Sequence, residues 1–144
     1  MLKKYVSALG AFILCLALLI LPQLMGGGLL FEPGEYYIFY SNGANSGAEM
    51  TLVPAGDARA ARRNILRLSG ESTIYLDEAR AFAEAEKYGA VLLFTERAGD
   101  VVNYYYYAAR LSGAVALCGH AVNLHIAVGG GRSAVGSPLI FGGY

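Results

Sequence analysis

The stretch AVLLFTERAGDVVNYYYY, residues 90–107, decides the fold class. Two runs rich in β-branched and aromatic residues flank Ala98-Gly99-Asp100, a composition typical of a tight turn. Strands this close in sequence pair antiparallel, because a parallel crossover needs a dozen or more residues. The stretch therefore predicts a β-hairpin with strands over residues 90–97 and 101–109.

The same pattern continues on both sides of this hairpin. Downstream, residues 113–128, with a break near Gly119, and residues 132–141 are predicted to be strands joined by a Gly-Gly-Gly turn. Three more strands are predicted upstream, over residues 36–41, 48–53 and 72–76.

Two amphipathic segments are predicted to be helices. The first begins at the N-cap Asp57 and runs to about residue 68. The second follows the N-cap Asp77 and ends at Gly89, with Arg80 placed to pair with Glu84 one turn later. Its predicted buried side consists of Ala79, Phe82, Ala83 and Ala85. Together, these elements predict an α+β fold in which a mainly antiparallel sheet carries both helices on one face.

An N-terminal hydrophobic helix is predicted to precede this fold. Lys3 and Lys4 are followed by an apolar run over residues 5–25, long enough as a helix to span about 31 Å, the thickness of a bilayer core. Residues 1–25 are therefore predicted to be a membrane anchor or a signal peptide. The lysines favour a single-pass protein with a cytoplasmic N-terminus; secretion after signal cleavage is the alternative.

The rest of the chain divides into two parts. Residues 26–34, which are rich in glycine, are predicted to be a linker, and residues 35–144 an extracytoplasmic α+β domain. Beyond residue 30, eleven acidic residues face nine basic ones, which gives no electrostatic case for nucleic acid. Cys118 is the domain's sole cysteine, so no disulfide can form within it.

The side of the sheet turned away from the helices is the first candidate binding site. Strand alternation is predicted to bury Val122, Leu124, Ile126 and Val128 against the helices and to turn the residues between them outward. Applied to both strands, the alternation predicts an open face that carries Asn103, Tyr105, Tyr107, Asn123 and His125. Two interpretations stand: a ligand face that stacks sugars or peptides, and tyrosine that serves only as packing.

Other candidate sites are weaker. Arg59, Arg63 and Arg67 recur every four residues and predict a basic stripe that contacts an anionic surface or is simply solvated. A zinc site on Cys118, His120 and His125 would need a bulge, because residues 118 and 125 lie on opposite faces of a regular strand. We therefore predict no metal and no cofactor.

No catalytic motif is recognisable in the sequence. The glycines from residue 129 match a dinucleotide fingerprint formally, but too few residues follow for a βαβ unit. The segment from Gly131 to Val135 misses the last glycine of a nucleophile elbow. We therefore predict no catalytic residues and a protein that is not an enzyme, with an envelope hydrolase as a weaker alternative.

Short strings in the second half of the chain carry a family resemblance. The strings YLDEA (75–79), AVLLF (90–94), VNYYYY (102–107), VNLHIAV (122–128) and VGSPLIFGGY (135–144) resemble the YwmB-type proteins of spore-forming Gram-positive bacteria. The resemblance implies an exported or anchored domain, a fold like one half of the TATA-box-binding protein, and a role in envelope or sporulation processes. A likeness of fold does not imply DNA binding.

The function predicted from these observations is binding rather than catalysis. We expect an envelope protein, held at the membrane through residues 5–25, whose outer domain binds other envelope proteins. A module that binds cell-wall polymer, with sugars stacked on Tyr105 and Tyr107, is the alternative. No nucleic acid and no small-molecule cofactor is expected.

Overall fold

The computed structural model describes residues 2–25, 28–43 and 47–142 of the chain. Three α-helices are present in these residues: α1 at Leu2–Met25, α2 at Ala58–Asn64 and α3 at Glu78–Lys87. None of the described helices combines the length and the apolar character that a membrane span requires. The anchor or signal peptide over residues 1–25 stays a prediction.

A seven-stranded antiparallel sheet forms the body of the protein. Its strands, in chain order, are β1 Tyr36–Ser41, β2 Glu49–Pro54, β3 Leu68–Tyr75, β4 Val91–Ala98, β5 Val101–Tyr107, β8 Leu124–Gly129 and β9 Arg132–Ser137. They lie in the order β2-β1-β3-β9-β8-β5-β4. The contact between β3 and β9 therefore joins two antiparallel units, one from each half of the chain. The α+β class and the antiparallel sheet are as predicted.

One predicted strand is three strands in the structure. Residues 113–128 contain a separate hairpin, β6 Val115–Leu117 with β7 His120–Val122, before β8 begins. Cys118 and Gly119 form its turn with φ angles of 50° and 79°. Two consecutive left-handed residues match the twist of a two-residue hairpin, so the chain reverses at Gly119 where only a break had been predicted.

The first domain helix is shorter than predicted. α2 ends at Asn64 rather than near residue 68, because Ile65 already has an extended backbone. Leu68 and Gly70 instead pair with β1, so β3 begins four residues earlier than predicted. Backbone pairing with β1 outweighs local helix propensity here.

The ends of α3 are as predicted, and its buried side is not. Asp77 caps the helix by accepting a 2.9 Å hydrogen bond from the Ala79 N–H, and Gly89 follows it with φ 61°. The buried residues are Ala81, Glu84 and Ala85, with Phe82 half-buried, whereas Ala79 and Ala83 are exposed. The predicted buried side was therefore wrong at these two alanines.

The predicted pair between Arg80 and Glu84 was also wrong. Arg80 lies over the ring of Tyr75, 4.6 Å from its centroid. Glu84 instead pairs with Lys87 at 2.9 Å and accepts a 2.8 Å hydrogen bond from the Glu32 N–H. Because Glu84 faces the core side of α3, it also meets the segment that crosses the helix, which supplies the Glu32 N–H.

That segment is the part of the expected linker that the structure describes. Residues 28–34 pack on the domain instead of standing off it, and Phe31 is in the main core. Leu30 N–H donates to Glu71 at 3.2 Å and Gly34 N–H donates to Thr73 at 2.8 Å. Residues 26 and 27, the rest of the expected linker, lie outside the described residues.

The main core fills the space between the sheet and α3. It is largely aromatic and aliphatic, and its largest members are Phe31, Tyr37, Phe39, Tyr75, Leu124, Ile126 and Val135. Of the residues predicted to face inward, Val122, Leu124 and Ile126 are fully buried, and Val128 is half-buried against the same core.

Candidate functional site

The open face is the side of the sheet opposite α3. Alternation along β5 divides its tyrosines as predicted: Tyr104 meets Phe82 of α3 in an edge contact of 5.1 Å, while Tyr105 turns to the other side. The open face therefore carries Tyr105, together with Asn103 and Tyr107 at the same parity.

Three rings cross the open face on neighbouring strands. Phe94 of β4, Tyr105 of β5 and His125 of β8, here called the aromatic row, stack with both centroid distances at 4.5 Å. His120, from the turn hairpin, adds a contact of 5.6 Å with Phe94. Such cross-strand ring pairs stabilise a sheet. The row places predicted residues Tyr105 and His125 side by side.

The polar atoms of the row bond within the protein. His125 Nε2 lies 3.0 Å from Asn103 Oδ1, and Ile140 N–H donates to His125 Nδ1 at 3.3 Å. This assigns the proton of a neutral imidazole to Nε2. Burial lowers the pKa of His125 to about 4, so the ring is neutral at physiological pH. Tyr105 completes the network by donating to Glu96 at 3.1 Å.

The five predicted face residues do not form one binding surface. Asn103, Tyr105 and His125 are brought together but are buried, whereas Tyr107 is exposed. Asn123 is fully buried and lies elsewhere: its side chain donates to Ala108 O and accepts from Ala108 N–H, at 2.8 and 2.7 Å. Alternation fails at Asn123 because this residue joins β7 to β8 and lies outside both strands.

One of the two tyrosine rings predicted to stack on sugars, that of Tyr105, is not accessible in this arrangement. Both ring faces of Tyr105 are covered, one by Phe94 and the other by His125. Stacking on a sugar requires an accessible ring face. Tyr107 is the predicted stacking residue that remains exposed.

The chain's last described residues cover another part of the open face. Phe141 N–H donates to the Tyr40 hydroxyl at 3.2 Å, and the two rings meet edge to face at 5.3 Å. Ile140 and Phe141 pack against a second small core of Ile38, Tyr40, Ile74 and Ala134. This segment was predicted to be strand, and strand β9 ends before it at Ser137.

Both edge strands of the sheet expose large apolar side chains, including Val91 and Leu92 on β4, but they differ in charge and in register. Edge strand β2 exposes Met50 by 57% and Leu52 by 59%, beside the exposed Tyr36 of β1. Edge strand β4 carries a register irregularity between Leu92 and Phe94 and the charges of Glu96 and Arg97. Bulges and charges are devices that protect sheet edges from pairing. Edge β2 has a single charge, at Glu49, and its register with β1 is regular.

The predicted arginine stripe is only partly helical. Arg59 and Arg63 lie on α2, Arg67 lies in the connection to β3, and all three are exposed. The stripe does not extend as one helix face because α2 ends before Arg67 is reached.

No metal centre is found in the described part of the chain. There, no group of three or more His, Cys, Asp or Glu residues could hold an ion. His120 and His125 contact Phe94 and Tyr105, respectively, and Cys118 is exposed in its turn.

Comparison with known proteins gives no relative: no protein-family model, no curated protein and no solved structure matches the chain. The resemblance to the YwmB-type proteins is thereby neither supported nor contradicted.

Proposed function

We propose that this chain is an envelope protein whose outer domain binds a partner protein through the edge strand β2. The partner contributes an extended strand that pairs with β2 and lengthens the sheet. The observation that carries the proposal is the exposed row of Met50 and Leu52 on an edge strand whose register with β1 is regular. The proposed activity is binding, with no catalytic step.

The chemistry of β2 fits this mode of binding. The backbone of an edge strand offers unpaired N–H and C=O groups, which supply affinity, and alternate side chains supply specificity. Met50, Leu52 and Tyr36 lie on the open face and present apolar surface next to those groups. An incoming strand with apolar residues at alternate positions would bury this surface.

The location proposed for the protein comes from its sequence. Lys3 and Lys4 before the apolar run of residues 5–25 favour an anchor in the cell membrane with the domain outside. A protein secreted after cleavage of that segment is the alternative. The resemblance to YwmB-type proteins adds a proposed link to envelope or sporulation processes.

Site-specific crosslinking of the full chain in living cells tests the proposed interface. A photoactivatable phenylalanine analogue at Leu52 points to the open face, and the same analogue at Thr51, also exposed, points to the other face of β2. We expect a discrete crosslinked protein from position 52 and a much weaker product from position 51. Equal products from both positions, or none from either, would overturn the proposal.

Labelling of cysteine tests the proposed location. Cys118 is exposed in the turn of its hairpin, and replacing Cys15 with serine leaves it as the single thiol. We expect a membrane-impermeant maleimide to label Cys118 in intact cells. Labelling that occurs only after lysis would place the domain inside the cell.

A further inference from the structure

A polar pocket lies beside the contact between β3 and β9, on the side of segment 28–34. Its volume is about 470 Å³. Its lining combines an arginine, a glutamate, three serines and three glycines with a few apolar groups: Gly28, Leu30, Arg62, Leu68, Ser69, Gly70, Glu71, Ser112, Gly113, Ser137 and Pro138. None of the predicted site residues is among them.

The arginine in this lining has an unsatisfied donor. Arg62 Nε is buried and, within the described residues, has no hydrogen-bond partner. A buried polar group without a partner is rare in folded proteins, and a charged one is costly. Arg62 therefore carries a donor that a ligand in the pocket can satisfy.

A hydroxyl group lines the same pocket, on Ser137. The side chain of Ser137 is on a residue only 3% exposed, and no hydrogen bond to its hydroxyl is found in the described parts of the chain. Ser69, by contrast, already donates to the carbonyl oxygens of Tyr40 and Gly43. The open donors thus come from two different elements, α2 and β9.

Glu71 is not the hydrogen-bond acceptor that Arg62 Nε lacks. Its two carboxylate oxygens accept from Leu30 N–H at 3.2 Å and from the Tyr37 hydroxyl at 2.8 Å. The described residues contain one ion pair, between Lys87 and Glu84, so Arg62 and Glu71 are not in salt-bridge contact. Arg62 and Glu71 therefore attract each other only through their charges, without a direct hydrogen bond.

The charge around the pocket favours an anionic ligand. Residues 58–70 contain four arginines and no acidic residue. Arg59 lies one turn before Arg62 on α2, so positive charge accompanies the unsatisfied donor. In the lining itself Arg62 and Glu71 are the charged residues, so the positive excess lies around the pocket rather than in its wall.

We propose that this pocket binds a phosphate ester, with Arg62 Nε–H and the Ser137 hydroxyl as donors to its oxygens. Guanidinium groups bind phosphate well, and a phosphate offers acceptor oxygens in several directions, as donors from two elements require. The volume leaves room for the organic part of an ester. Either a lipid headgroup or a soluble phosphate ester has this chemistry. The proposal is independent of binding at β2.

Calorimetry on the full chain in detergent micelles tests the site with glycerol 3-phosphate, and with acetate as the anion control. We expect binding of the phosphate that weakens about tenfold or more in Arg62→Ala, as for loss of a charge-assisted hydrogen bond, and also weakens in Ser137→Ala. The matched control Arg63→Ala, on the exposed side of α2, should change the affinity less than about twofold.

Hydrogen exchange of the chain in nanodiscs tests whether the pocket binds a lipid headgroup. The discs contain a phosphate-free glycolipid, with or without phosphatidylglycerol, and the readout is protection of the amides at residues 69–71 and 137. Protection by phosphatidylglycerol alone assigns the site to a lipid headgroup, and binding of glycerol 3-phosphate alone assigns it to a soluble ester. Either outcome supports the site.

Three results would overturn the proposal. The first is no binding and no protection in either arm. The second is an equal loss of affinity in Arg62→Ala and Arg63→Ala, which would indicate a diffuse surface effect. The third is loss of stability in Arg62→Ala with unchanged affinity, which would show that Arg62 only balances Glu71. If Arg62→Ala does not fold, Arg62→Gln and Ser137→Ala are measured in its place and must show the loss.

Discussion

The imidazole of His125 stacks on the ring of Tyr105 across the β5–β8 pair, with 4.5 Å between centroids and 15° between the ring planes. Both nitrogens of this imidazole are engaged in the neutral form, one by Asn103 and the other by Ile140 N–H. A proton added at Nδ1 would turn the acceptor of Ile140 into a donor and break that bond.

We therefore expect acid to destabilise the protein through His125. Its pKa is about 4 in the folded state against 6.5 ordinarily, so the unfolded state binds more protons between these values. Stability should fall as the pH drops from 6.5 to 4, by roughly 3 kcal/mol at most from this residue. Urea unfolding across this pH range should show a smaller decrease in the free energy of unfolding for His125→Gln than for the wild type, by that same amount. An unchanged acid loss in His125→Gln, or the same reduction in His120→Gln, would contradict the prediction.

Truncation of Phe31 should show that segment 28–34 belongs to the domain. Phe31 is only 1% exposed within the main core, so Phe31→Ala should lower the free energy of unfolding by about 3–5 kcal/mol. Leu66→Ala, at a leucine 95% exposed, should change it by less than about 0.5 kcal/mol. Chemical denaturation of both variants measures these changes in the free energy of unfolding. Similar small losses would mean that the segment is a free linker.

A methyl group at Gly34 should also disturb this segment. A Cβ there would lie 1.9 Å from the carbonyl oxygen of Ile74, and a backbone atom cannot yield as a flexible side chain can. We expect Gly34→Ala to cost about 3 kcal/mol or more. Gly56→Ala, where a Cβ meets nothing within 4 Å, is the matched control and should be close to neutral. Comparable melting temperatures for the two variants would count against the close approach of Gly34 and β3.

The turn at Cys118 and Gly119 offers a stabilising change. Cys118 adopts φ 50°, a left-handed conformation that is costly for most residues and more readily adopted by asparagine. Because Asn-Gly is the preferred pair for such a turn, Cys118→Asn should stabilise the protein by up to about 1 kcal/mol. Gly119→Ala should destabilise it by a similar amount through backbone strain alone, since a Cβ at Gly119 meets no atom within 4 Å. Thermal unfolding of the two variants should move in opposite directions.

Local signals predicted the elements of the fold that depend on neighbouring residues. Asp77 and Gly89 bound α3 as their types suggest, and alternation identified Leu124 and Ile126 as core. The same alternation placed Asn103, Tyr105 and His125 on one face. These predictions succeeded because capping and strand parity are decided within a few residues of sequence.

The errors lie where burial or pairing depends on contacts between segments that are far apart in the sequence. Glu84 is buried because residues 28–34 cross α3 and bring Glu32 to it, which no pattern within the helix reveals. The burial of Tyr105 depends on Phe94. That these two residues lie opposite each other follows only from the register of β4 against β5. The pocket at Arg62 joins segments from residues 28 to 138 and leaves no periodic trace in the sequence.

The position of β9 in the sheet bears on when the protein can fold. β9 lies between β3 and β8, so the last of the described strands closes the middle of the sheet. A nascent chain that ends before residue 132 leaves β3 and β8 each with an open backbone edge. The two halves therefore cannot unite until residues 132–137 have been synthesised. A chain synthesised only in part would expose these two edges and would be prone to pair them with strand β9 of a second copy.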